Sequence, residues 1–266
     1  MFNLRDVSKV IQGILMCSNK GITSAESMQK LWANETSRVF QDRLINAHDN
    51  KWFTDLCMDI LSRSFRTALT FDDLFGEKKI MFSDILKLET SKMYEEVKDP
   101  IKLSKTLNDF LEEYNSQTSI KMNLVFFEDA VLHLIKILRT LRQPRGNIMC
   151  IGVGGSGKQS LIKLSAHIYS MVFKQIEIVK GFNDTSFRDF IKELMMDTGI
   201  NPKNIPTAFT LTDSQILSET FLEYINNVLN TGEIPNSMNA EDKDKYMNDV
   251  RPIVLEMKLV DSPDTL

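Results

Sequence analysis

Three cysteines and three histidines in 266 residues leave this chain short of the makings of a metal centre or a nucleophilic triad. Cys17, Cys57 and Cys150 are odd in number and too scattered for a zinc spacing, so they read as reduced, mostly buried thiols of a cytosolic protein. His48, His133 and His167 are just as far apart. Positive charge is not in excess either. The 32 Lys and Arg against 36 Asp and Glu leave a net charge of −4, which argues against bulk attraction to nucleic acid. No apolar run approaches the length of a membrane span, and the charged start Phe2-Asn-Leu-Arg-Asp6 lacks the apolar core of a signal peptide. At 42% hydrophobic and 26% charged, the composition is that of a globular chain of one or two domains.

Glycine is sparse, at 11 residues, yet four glycines fall between positions 152 and 157. The run is Gly152, Val153, Gly154, Gly155, Ser156, Gly157, Lys158, Gln159, Ser160. It follows the apolar Ile148-Met-Cys-Ile151 and opens the helical pattern beginning at Leu161. Strand, glycine loop and helix are the context of a phosphate-binding P-loop. Glycines let the backbone turn tightly and aim several N–H groups at one anion, and the helix adds its positive end. Lys158 supplies a point charge for the outer phosphates. The competing reading is a glycine-rich turn with an incidental lysine. One position departs from the pattern: the hydroxyl that would reach Mg²⁺ is replaced by the amide of Gln159. The next hydroxyl, Ser160, is turned about 100° around the helix. A weakened metal site favours binding or slow turnover over fast hydrolysis.

The rest of the chain divides in two. Apolar spacing predicts helices over 2–16 (Leu4, Val7, Ile11, Ile14, Leu15), 24–47, 50–66 (Trp52, Phe53, Leu56, Ile60, Leu61) and 100–114, with a mixed stretch at 71–98 and no convincing run of strands. Residues 1–115 therefore read as an α-helical bundle. The polar stretch Asn115–Ser119 is the expected junction, and 116–266 the second domain. There a helix over 123–142 stops at Gln143-Pro-Arg-Gly146. Strands at 147–152, 174–179 and 206–212 then alternate with helices at 158–171, 186–198 and 214–230. That alternation predicts an α/β fold with a parallel sheet. Asp213, at the end of the third strand, is placed as the acid that holds Mg²⁺ in P-loop proteins. It is also placed as a helix N-cap, a role for which Ser214 competes. Ser214 and Gln215 follow where many such ATPases carry a glutamate, and neither is a general base near pH 7. Glu241–Lys245 reads as a solvated loop face.

These segments, in this order, resemble the fourth AAA+ module of a dynein heavy chain of the axonemal type. The likeness is carried by Met122-Asn-Leu-Val-Phe-Phe-Glu-Asp-Ala130, Leu141-Arg-Gln-Pro-Arg-Gly146, the loop 152–160, Phe173-Lys-Gln-Ile-Glu-Ile178, Leu211-Thr-Asp-Ser-Gln-Ile216 and Phe221–Asn236. Residues 1–115 resemble the helical lid of the preceding module, through Phe2–Gly13 and Arg38-Val-Phe-Gln-Asp-Arg-Leu44. The resemblance implies a minus-end-directed microtubule motor of the ciliary axoneme, built as a ring of six modules. In that ring the fourth module binds ATP or ADP, with weak Mg²⁺, and regulates. It implies as partners the other AAA+ modules, the intermediate and light chains, and microtubules. It carries the phosphate role to 152–160, the metal role to Asp213, and a lid-arginine role to Arg5. Read from its own surroundings, Arg5 is instead a helix-surface cation paired with Asp6 or a nearby Glu.

The family sheet has five strands in the order five, one, four, three, two, and only three are found here. The chain therefore looks like a piece of a longer one, with the later strands and the sensor residue of strand four missing. Two further readings differ in class. One is an interaction fragment with an empty P-loop. The other is an independent P-loop ATPase or kinase, which the lack of an acid at 214 disfavours.

Overall fold

Helix starts along the chain are marked by side chains that cap their own first turn. Asn3 and Asp6 form a reciprocal box at α1 (Leu4–Ile14). Ser24 caps α2 (Ala25–Val39), and Asn46 caps α3 (Ala47–Phe65). Thr70 and Asp73 box α4 (Phe71–Phe75). Short antiparallel strands β1 (Phe82–Ser83) and β2 (Glu95–Glu96) follow, then α5 (Pro100–Gln117), where Asp99 accepts from two amides and proline takes the first position. The computed structural model describes residues 2–87, 93–200, 206–232, 234 and 238–262. The remaining described elements are α6 (Glu128–Arg142), α7 (Lys158–Ile168), β3 (Val172–Gln175), α8 (Asp184–Ile200), β4 (Thr207–Thr210), α9 (Glu219–Asn230) and α10 (Ala240–Glu256). None of the described helices is long and apolar enough to cross a membrane.

The chain folds as two compact units, Met1–Ser165 and Ala166–Leu266. In the first, Leu31, Phe82 and Tyr94 form one core, and Ala33, Leu61 and Leu74 another. The face of α1 that packs inward carries Asp6, Val10 and Gly13. Of the expected stripe only Ile14 packs inward, against the Leu31–Phe82–Tyr94 core, while Leu4, Val7, Ile11 and Leu15 are 84%, 50%, 51% and 75% exposed. The reason is the close approach of α1 to Glu35: a Cβ on Gly13 would overlap Glu35 Oε2 and crowd Arg139. In α3 the core side is Phe53, Cys57 and Leu61, while Trp52 is exposed. The expected helix over 24–47 ends at Val39 and gives way to a 3-10 turn at Gln41–Arg43, and the Asn46 cap starts α3 three residues before the expected 50–66.

One helix ties the first unit together. On α6, Lys136, Arg139 and Arg142 recur at three-residue spacing. Each meets an acid from the helical bundle: Asp42 at 2.9 Å, Glu35 and Asp84. Glu35 is fully buried, and its Oε1 also accepts from Tyr94 Oη at 2.8 Å and Asn34 Nδ2 at 2.9 Å. A buried carboxylate needs this degree of pairing, because an unpaired charge in the interior costs several kcal/mol. Arg142 also lies over the Tyr94 ring at 5.9 Å.

The second unit is built on the parallel pair β3–β4, with Val172 opposite Thr207 and Gln175 opposite Thr210. Side chains of α8 and α9 cover it. Phe187 and Phe221 stack at 4.0 Å between ring centroids, with Ile176, Ile191 and Ile234 around them. The pair corresponds to the second and third expected strands, the second shifted two residues toward the N-terminus and the third shortened at both ends, and they are adjacent as expected. The first expected strand, 147–152, is not formed. Among the described residues it belongs to no sheet, and Met149 and Ile151 are 83% and 87% exposed. A segment without a ladder partner has no backbone pairing to define it as a strand. Three other readings change. Asn115–Gln117, expected at the junction, is the last turn of α5. Residues 123–127 are irregular rather than helical. Glu241–Lys245 lies in the first turns of α10, where Asp242 closes a capping box with Asn239 and pairs with Lys192.

Candidate functional site

The stop after α6 sets the entry to the glycine loop. Arg145 adopts a left-handed φ of 54°, and a Cβ at Gly146 would overlap the Thr140 carbonyl. Only glycine fits so close a turn. The chain then runs to Gly152 without helix or strand. Gly155 and Gly157 take φ of 77° and 79°, the conformation that glycine alone adopts freely. A Cβ on Gly154 or Gly155 would meet nothing within 4 Å, so the loop is open to solvent there rather than packed. At its far end α7 begins. The first helical bond runs from Leu161 N–H to the Gly157 carbonyl at 2.9 Å, which leaves the amides of Lys158, Gln159 and Ser160 without helix partners.

Lys158 closes the loop on itself. Its Nζ donates to the carbonyls of Gly152 at 2.7 Å and Val153 at 2.6 Å, and to Ser156 Oγ at 3.1 Å. The ammonium is thereby held against the loop's own carbonyls. This fits a phosphate: an open loop, amides without helix partners at a helix start, and a cation held on the loop itself. Gln159 is exposed and Ser160 half-buried, and neither side chain has a hydrogen-bond partner among the described residues. Burial pushes the thiol of Cys150, just before the loop, above its ordinary value, and the Lys158 charge opposes that.

Two contributors were not foreseen. Asn115 clamps Met122 in both directions, its Nδ2 donating to the Met122 carbonyl at 2.9 Å and its Oδ1 accepting from the Met122 amide at 2.7 Å. This pins the segment whose Leu124 Cδ2 would lie 3.9 Å from a Cβ on Gly157. Polar turn residues give no advance sign of such pairing, because an Asn side chain that mimics a strand partner reads as an ordinary turn former.

Asp213 falls in the second unit and the loop in the first. Asp213 opens a 3-10 turn, Asp213–Gln215, directly after β4. It caps nothing: Thr212 caps that turn, and Ser218 caps α9. The expected cap roles of Asp213 and Ser214 at a helix over 214–230 are thus both corrected. The Asp213 carboxylate is exposed and has no hydrogen bond or ion pair among the described residues. Arg5 is also exposed and does not pair with Asp6. Asp6 accepts from Arg43 at 2.6 Å instead, and this bond with the Asn3 backbone holds its carboxyl below the usual range.

Comparison with known proteins follows the same division. A family model described as the P-loop containing dynein motor region D4 matches residues 122–266, and one described as an AAA+ lid domain matches 1–77. Human dynein axonemal heavy chain 1 is 38% identical over 262 residues, and human dynein axonemal heavy chain 6 is 39% identical over 260. Each alignment covers 97% of this chain and 6% of the relative. Human dynein axonemal heavy chain 2 is 38% identical over 268 residues, covering 100% of this chain and again 6% of the relative. The chain thus spans about 6% of the length of the curated relatives it matches.

Proposed function

The chain belongs to the dynein heavy chains, in their P-loop motor region D4, and on that premise we propose that it contributes a regulatory nucleotide-binding module to a microtubule motor of the axoneme. Residues 1–115 act as the lid of the preceding AAA+ module, and 116–266 as the nucleotide module. The observation that carries the reading is the loop 152–160. It brings together left-handed Gly155 and Gly157, the first-turn amides of Lys158, Gln159 and Ser160, which have no helix partner, and the Lys158 ammonium held on the loop carbonyls. These groups would hold the phosphates of ATP or ADP. When bound, ATP supplies a γ-phosphate whose presence or loss such a module reports to its neighbours.

Weak hydrolysis follows from side chains. Gln159 stands where a hydroxyl would reach Mg²⁺, and its amide oxygen is a poorer match for a compact hydrated metal. Asp213 is the remaining acid for the metal, and Ser214 beside it cannot take a proton from water at neutral pH. The partners are the other AAA+ modules of the heavy chain, its intermediate and light chains, and microtubules reached through the rest of the motor. A second reading, an interaction piece whose P-loop holds nothing, is favoured by the unpaired, exposed segment 147–152.

Parallel measurements of nucleotide binding and phosphate release on the purified chain separate these readings. The regulatory reading expects saturable binding with turnover far below ~1 per second, the low end of ordinary enzymes. Turnover at ordinary rates overturns it, and no binding returns the interaction reading.

A further inference from the structure

Leu103, Leu107 and Leu111 stand at four-residue intervals on α5, and all three are buried. The next place in that series is Asn115. Side chains four apart share one face of a helix, so the apolar stripe of α5 ends in an amide. That amide is half-buried and spends itself on one residue. Nδ2 donates to the Met122 carbonyl at 2.9 Å, and Oδ1 accepts from the Met122 amide at 2.7 Å. This is the two-bond exchange that a strand neighbour makes. The Thr118 hydroxyl closes the turn between them, shared by the carbonyls of Tyr114 at 3.0 Å and Ile120 at 3.2 Å.

From Met122 the burial alternates. Met122, Leu124 and Phe126 are half-buried, while Asn123, Val125 and Phe127 are exposed. Leu124 reaches the glycine loop. Apart from the chain neighbours of Gly157, its Cδ2 is the one heavy atom among the described residues within 4 Å of the place a Gly157 Cβ would take. Gly154 and Gly155 meet nothing within that radius. Gly157 is also the joint between the loop and α7. Its φ is 79°, and its carbonyl accepts the first helical bond, from Leu161 N–H at 2.9 Å. The direction it takes sets the direction of the amides of Lys158, Gln159 and Ser160. Glycine has no side chain to hold such a conformation, so a contact from outside must limit its freedom. All of these residues lie in the first compact unit.

We infer that Asn115 is a positioning residue for the phosphate loop. Through Met122 it holds Leu124 on Gly157, and so keeps the helix amides aimed at one place. The inference rests on the nucleotide-site reading above. Asn115 touches no phosphate. It raises affinity by ordering the loop in advance, which spares the ligand that entropy cost.

The test is binding of a fluorescent ATP analogue to the 266-residue chain, with inorganic tripolyphosphate as competitor. Asn115→Ala removes the clamp and leaves α5 a good helix former. It should weaken both ligands alike, by about fivefold to tenfold, the worth of one or two hydrogen bonds. Leu124→Ala should do the same. The double variant should be no weaker than Leu124→Ala alone, because the two residues act in series. If the two losses multiply, Asn115 does not act through Leu124 and the inference is wrong. It is equally wrong if the ATP analogue weakens while tripolyphosphate does not, since the segment would then serve the nucleoside and not the loop. A merely structural role would lower the thermal midpoint and leave the affinity of the folded chain unchanged. Should Asn115→Ala fail to fold, Asn115→Asp keeps the acceptor for the Met122 amide and turns an oxygen toward the Met122 carbonyl, and the same loss is expected. A Lys158→Ala control separates the two levels. If wild type and this control bind alike, or neither binds, the nucleotide reading fails and the positioning role with it. If binding depends on Lys158 but the Asn115 variants bind as wild type does, only the positioning role falls.

Discussion

Arg139 on α6 grips the fully buried carboxylate of Glu35 on α2 through both Nε and a terminal guanidinium nitrogen, 104 residues apart in sequence. This bond joins the helix that leads into the glycine loop to the core of the helical bundle. Arg139→Met should destabilise the chain by about 3–5 kcal/mol, since it strands a buried charge. Chemical denaturation at neutral pH measures it. Glu35→Gln together with Arg139→Met should recover much of the loss, because the stranded charge is removed.

Gly13 inverts the usual helix rule. In an exposed helix interior, glycine to alanine stabilises by about 1 kcal/mol. Here the new methyl would overlap Glu35 Oε2, so Gly13→Ala should destabilise by about 2–3 kcal/mol. A rise in thermal midpoint would show that α1 is not held against the Glu35–Arg139 pair.

Stability should fall at both ends of the pH scale. Burial, and the Glu35 charge beside it, push the Tyr94 phenol well above its ordinary value. Such a group gives its full stability below the unfolded value near ~10 and loses it as pH rises further, because the unfolded chain ionises first. Burial pushes Cys17 and Cys57 up to about 12, which acts in the same direction from pH ~9 upward. At the acid end, Asp6 is held down by Arg43 and Asp242 by Lys192. Their contributions are present above the ordinary carboxylate value of ~3.9 and are lost as pH falls below it. Denaturation midpoints at stepped pH test both limbs. Tyr94→Phe should flatten the alkaline limb, and Arg43→Met should lower stability at neutral pH while flattening the acid limb, because Asp6 would then titrate more nearly alike in both states.

The nucleotide loop was legible because its chemistry is local. Gly152 to Ser160 needs only its own glycines, one lysine and a helix to be recognised. That Asp213 directly follows a strand was legible from the apolar run before it. The bond from the Gln215 side chain to the Ile176 carbonyl was not, because the two residues lie 39 apart. The strand 147–152 was misread for a related reason: apolar residues mark what a sheet would bury, but only a partner makes a strand. Helix ends were lost where a cap went unread. Asn46 followed by Asp49, and Asn239 followed by Asp242, both mark helix starts, yet the first was placed at the end of the preceding helix and the second read as loop. On α1 the apolar stripe was real but, Ile14 aside, faced outward, because Gly13 brings the opposite face against Glu35.

Gln159 offers a gain-of-function test. Gln159→Thr restores a hydroxyl at the first turn of α7, where a P-loop holds its metal. The variant should bind the ATP analogue more tightly with Mg²⁺ than wild type, by about tenfold, and equally well without it. Equal metal gains in both would mean that position 159 does not face the metal.

The central claim, that residues 152–160 hold nucleotide phosphate, is tested most directly by titrating the chain with a fluorescent ATP analogue beside Lys158→Ala. The account predicts saturable binding by the wild type and at least about a hundredfold weaker binding by the variant, since the loop would lose its one cation. Equal binding by the two, or none by a folded wild-type chain, would contradict it.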